Sequence, residues 1–236
     1  PDRPVEEKII IKPRYLEEDA LGVPAMALEQ VRFELGHMGE IINEMYTTLR
    51  TGVDENDKQK CNAVLKLDDK VDILHDAILD YLHELRQEPL TDKQSVRFQS
   101  LMSATVNLEN LADIINDELV PIAKGFIKLE FEPSEATVVL LSNLTDKVGH
   151  AITQVIKAVR EEDEMAAEEV ITVKDEVRRI AEDFLILQSE RIGVQGSGHL
   201  ELVRLEMELL DKLRSIYTLA KRIAKDFVPE EVAVKA

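Results

Sequence analysis

Between Ala25 and Phe227 apolar residues recur at steps of three and four, the spacing of one buried stripe on an α-helix. The clearest case is Ser103 to Leu119, SATVNLENLADIINDEL, where Leu108, Leu111, Ile115 and Leu119 form a stripe extended by Leu101 and Ile122. A chain written this way buries helix faces against one another. The composition agrees: 44% hydrophobic, 32% charged, 4% aromatic and no Trp suit long amphipathic helices better than sheet.

Residues 1–24 carry four prolines and read as an extended arm or linker. A first helix begins at Ala25 with Leu28, Val31, Leu35, Met38, Ile42, Met45 and Leu49 on its stripe, and stops at Thr51-Gly52. A second follows the Asp54–Asp57 turn and ends before Pro89. Thr91 and Gln94 form a capping box that starts the third, which is expected to finish near Pro121 and Gly125. The pattern restarts at Pro133-Ser134, is interrupted by the acidic link Glu161–Glu164, and resumes after the Gly193–Gly198 loop, giving helices four, five and six. The halves overlay at a shift of roughly 105 to 110 residues, with Met38-Gly39 on Val148-Gly149, Val71 on Val177 and Leu108 on Leu213. The expected fold is all-α, two tandem antiparallel three-helix bundles over 25–130 and 131–228, with a tail at 229–236.

Lys and Arg number 29 against 47 Asp and Glu, a formal charge of −18, so the chain repels phosphate backbones and nucleic acid is not an expected partner. Cys61 stands alone and can form neither an intramolecular disulfide nor a thiolate metal site. The longest apolar run, Val138 to Leu141, falls far short of a membrane span, and a chain beginning at Pro1 without Met is expected to be a piece of a longer protein. An apolar row beyond the needs of the bundles would serve self-association.

Chemistry is carried by carboxylates. Helix two offers Asp68, Asp72 and His75 at spacings of four and three, one column beside the stripe; helix three offers Glu109 and Asp113. If the columns face each other they form a site for a divalent or iron-type metal ion. Otherwise they are solvated faces paired with Lys or Arg. The matching second-half positions read Lys174, Arg178, Ala181, Arg214 and Thr218, so that half cannot bind a cation the same way; Lys174, Arg178 and Arg214 are candidates for an anion site instead. Glu34-x-x-His37 and Asp72-x-x-His75 bear on a third reading, a carboxylate-bridged di-metal oxidase, but the set of ligands on four helices that such enzymes use is incomplete. Gly193 to Gly198 lacks the Lys-Ser/Thr ending of a phosphate-binding loop.

Tandem three-helix bundles with Leu108-Glu109-Asn110-Leu111-Ala112-Asp113 on the third helix resemble the PhoU family, whose motif there reads approximately Leu-Glu-Arg-Ile-Gly-Asp. The stretch Lys12 to Ile42 is similar to the junction that follows the membrane domain in bacterial Na⁺/phosphate cotransporter proteins with a C-terminal PhoU-like domain. The resemblance implies a non-catalytic regulator of phosphate uptake, cytoplasmic and held at the membrane by a transporter domain of the same chain. The alternative is a free-standing adaptor of phosphate signalling. It also implies metal ligation by Glu109 and Asp113, and more loosely by Asp68 and Asp72. In the second half Arg214 and Thr218 occupy the motif positions, so one metal site is expected rather than two.

Overall fold

The computed structural model describes residues 11–129, 133–192 and 200–233. It contains six helical rods, and no strand occurs among the described residues. The first half comprises α1 (Pro24–Asp54), α2 (Lys58–Leu85) and a rod that begins as α3 (Asp92–Asp113), passes through a π-helical turn (Ile114–Leu119) and continues as α4 (Val120–Lys128). The second half comprises α5 (Glu135–Glu161), a rod of α6 (Glu164–Thr172) and α7 (Lys174–Ile192), and α8 (Leu200–Lys225). Among the described residues no helix is long and apolar enough to cross a membrane.

The helix starts follow local chemistry. Asp57 accepts hydrogen bonds from the amides of Gln59 and Lys60, Thr91 and Gln94 close their capping box, and Ser134 and Asp163 cap α5 and α6. Three expectations need correction. The third rod runs past Pro121 to Lys128: a π turn precedes the proline, which falls in the first turn of α4, where a missing N–H is tolerated. The fifth is two helices, broken at Val173 (ψ 1°), although Val170, Val177, Ile180 and Phe184 remain buried on one side. Gly52, expected to end α1, lies inside it, where a Cβ would come within 2.8 Å of the buried Cys61 Sγ.

One hydrophobic core runs through both halves, joined where α1 crosses α5. The crossing is close because it runs over glycines: a Cβ on Gly39 would stand 2.8 Å from Ile156, and one on Gly149 would stand 3.0 Å from Tyr46. Ile156 is seven residues beyond Gly149 and Tyr46 seven beyond Gly39, so the two contacts are the same contact seen from opposite halves. Midway, Thr153 hydrogen-bonds Asn43 at 3.3 Å, and these partners are separated by the same interval as the two glycines. The pairs Arg50–Asp146 and Arg160–Glu40 flank the crossing, the Arg160 stem lying over Gly36. This pseudo-twofold relation is the internal repeat in three dimensions.

The described part of the N-terminal arm is pinned down. Glu34, fully buried in α1, accepts hydrogen bonds from the backbone N–H groups of Arg14 (2.7 Å) and Tyr15 (2.8 Å), and its other oxygen meets His37 Nδ1 at 2.7 Å. Tyr81 from α2 donates its hydroxyl to the Glu17 carbonyl at 2.9 Å. With both its oxygens so engaged, the Glu34–His37 pair is structural, and a metal-ligand role for it does not fit.

Ile156 is β-branched and cannot swing away from a new methyl group, so Gly39→Ala should destabilise by about 1–3 kcal/mol in urea denaturation. Ile156→Ala should absorb much of that cost when combined with it, and purely additive effects would show that the crossing is not tight.

Candidate metal centre

Asp68, Asp72 and His75 occupy successive turns of one face of α2, and Glu109 and Asp113 occupy the last two turns of α3, which packs alongside. Asp68, Asp72 and Asp113 each bring one carboxylate oxygen to within 4.8 Å of the others. Asp68 is 8% exposed, whereas Asp72 is open to solvent. Asn116, from the π turn, donates to Asp68 Oδ2 at 2.8 Å, while Asp68 Oδ1 is buried with no hydrogen-bond partner. Among the described residues no Lys or Arg forms an ion pair with Asp68, Asp72, Glu109 or Asp113.

The electrostatics follow from that crowding. Burial, then the charges of Asp72, Asp113, Asp117 and Asp69, push the Asp68 carboxyl up to about 7. Burial and the Asp113 charge raise Asp72 and Glu109 as well. His75 lies close enough to oppose both of those shifts, and its Nδ1 is 3.4 Å from Asp76.

The donor set fits a hard divalent cation. Three carboxylate oxygens within 4.8 Å of one another match a single ion with oxygen ligands about 2.0–2.6 Å away. The unpartnered Asp68 Oδ1 is a buried acceptor that such an ion would satisfy. Of the five residues singled out in the first half, Asp68, Asp72 and Asp113 come together, while Glu109 and His75 stand near enough to act on them electrostatically. Asn116 carried no signal in the sequence, because only the wider π turn brings its amide to Asp68.

The three second-half cations are placed differently. Arg178 bonds Asp175 at 3.1 Å and approaches Glu182 at 3.8 Å, both on its own helix. Lys174 lies near Lys221, whose ammonium is lowered first by burial and then by Lys174 and Lys225. Arg214 lines a groove with Asp113, facing the first half.

A carboxyl raised this way binds protons more strongly in the folded chain than in the unfolded one. Without a cation, its cost is absent below the ordinary Asp value of about 3.9 and complete above about 7. Asp68→Asn should therefore stabilise the chelator-treated protein on the order of 2–4 kcal/mol near pH 8, with most of the gain gone near pH 4. Urea denaturation at both pH values checks this, and an equal gain at the two would remove titration as its cause.

Residues 35–117, which include all five first-half residues, match the PhoU domain family model. The chain is 24% identical over 214 residues, 91% of its length, to "Putative inorganic phosphate export protein YjbB" of Salmonella typhimurium, and 28% identical over 105 residues to that of Escherichia coli K12. It spans 39% of the former and 19% of the latter. Among solved structures, PhoU from Pseudomonas aeruginosa superposes with a TM-score of 0.79 at 17% identity, covering 86% of this chain and 96% of that one. The phosphate transport system regulatory protein PhoU from Streptococcus pneumoniae gives 0.74 at 14% identity, covering 86% and 94%. By this fold, and by the matched segment that contains its acidic cluster, the chain is PhoU-like.

Proposed function

We propose that this chain is a PhoU-type regulatory unit of phosphate transport that acts by binding and not by catalysis. The observation that carries the reading is the structural match, which extends over 94% of a protein described as a phosphate transport system regulator. A regulator of this kind shifts a transporter between states only by the difference in its affinity for them. The free-standing adaptor is favoured by coverage, since the described fold accounts for nearly the whole of both solved PhoU chains. The attached form draws support from the alignment of 91% of this chain to 39% of a protein named for phosphate export, which leaves room there for a membrane part. An immunoblot of the source cells separates the two: a band near 26.7 kDa is expected for the adaptor, one more than twice as large for the attached form. Deleting the coding region should change the rate of radiolabelled phosphate transport. Unaltered transport at both low and high phosphate would overturn the regulatory reading.

Asp68, Asp72 and Asp113, with Glu109 beside them, are proposed to hold one divalent cation. The ion would supply positive charge that links α2 to α3 and relieves the repulsion among the carboxylates; the residues themselves orient it, Asn116 fixing Asp68. Mg²⁺ or Mn²⁺ at one hundred times its dissociation constant should stabilise the protein by about 2.7 kcal/mol. That gain should vanish in Asp72→Asn/Asp113→Asn, read as the melting temperature with and without chelator. A double variant that still gains as much would exclude the site.

A further inference from the structure

The groove between α3 and α8 has a volume of about 580 Å³ and joins the two halves of the repeat at the edge of the acidic cluster. Asp113 and Asn110 line its first-half wall; Asp211, Arg214, Ser215 and Arg222 line the other. Its charges face each other without pairing across the gap, while Asp211 meets Lys212 on its own helix at 3.8 Å. Among the described residues neither Arg214 nor Arg222 has a carboxylate within ion-pair distance, and Asp113 has no cationic partner. The Arg222 guanidinium is held by Asn107 Oδ1 at 3.3 Å, and Asn107 is itself 7% exposed. Two guanidinium groups therefore stand over a space whose far wall ends at a carboxylate of the cation site.

We infer that this groove binds inorganic phosphate, held by Arg214 and Arg222, with the cation on Asp113 as its third support. The inference rests on the reading of the acidic cluster as a cation site. Guanidinium groups match a tetrahedral oxyanion because they present N–H donors in a fixed fork. The cation is needed because Asp113, Asp211 and the neighbouring cluster otherwise repel an anion in a chain of net charge −18. Phosphate is favoured over sulfate by what the groove can accept. Ser215 donates its proton to the Asp211 carbonyl at 3.0 Å, leaving lone pairs, and the Asp211 carboxylate accepts only. An anion that still carries a proton satisfies these acceptors, whereas sulfate has none to give. The groove thus joins a first-half cation to a second-half anion, so ligand occupancy would draw α3 and α8 together.

The test is calorimetric titration of the whole chain with phosphate in millimolar Mg²⁺, alongside Arg side-chain NMR signals and a separate titration of Mg²⁺ alone. Expected are phosphate binding that weakens about tenfold or more in Arg214→Gln, a loss of comparable size in chelator, no competition by sulfate, and Mg²⁺ binding unchanged in Arg214→Gln. Mg²⁺ binding without any phosphate binding, or phosphate binding equal in Arg214→Gln and wild type, overturns this inference and leaves the cation reading intact. Failure of Mg²⁺ itself to bind overturns the cation reading, and with it the cation-supported site. Undiminished phosphate binding in chelator removes the cation from the anion site.

Discussion

The close crossing of α1 over α5 is the contact on which the rest of the molecule depends. Helices whose facing residues carry side chains pack with their axes about 8–10 Å apart. Gly36, Gly39 and Gly149 remove side chains where α1 and α5 meet, so Ile156, Tyr46 and the Arg160 stem lie directly on the opposing backbone. Because the contact repeats itself through a pseudo-twofold relation, the two halves are locked in one register and share one core. Two independent bundles joined only by a linker would have no reason to place glycines at corresponding positions.

That register decides which surfaces meet. With α1 and α5 at the centre, α3 and α8 come side by side, and the acidic end of α3 faces the basic stretch of α8 across a groove. The repeat has been put to asymmetric use: the first half collects carboxylates where the corresponding second-half positions carry Lys174, Arg178 and Arg214. A symmetric acidic pair of halves would have concentrated like charge near the pseudo-axis. This arrangement instead sets opposite charges across the groove, with no salt bridge from Asp113 to Arg214 or Arg222. The attraction is small through water and grows as the groove is desolvated by whatever fills it.

The arm is subject to a second constraint. Glu34 is buried with both oxygens engaged, two backbone N–H groups on one and His37 on the other. A buried carboxylate is tolerated only when so satisfied, which makes the path of residues 14–17 part of the packing of α1 and not a free tether.

Much of this was legible from residue order. The six amphipathic rods, their caps at Thr91 and Ser134, the repeat, and the acidic columns on α2 and α3 all follow from spacings of three, four and seven, which a helix converts into faces without help from the rest of the chain. What periodicity does not specify is the rotation of one helix against another. That rotation turned Asp68, Asp72 and Asp113 toward one another, left Asp68 Oδ1 without a partner, and set Arg214 opposite Asp113, apart from Lys174 and Arg178. The π turn that delivers Asn116 and carries the rod past Pro121, the break at Val173, and the use of Glu34 to hold the arm are likewise products of packing. Glu34 and Asp68 find their partners about twenty and forty-eight residues away in the chain, and such partners exist only once the elements have met.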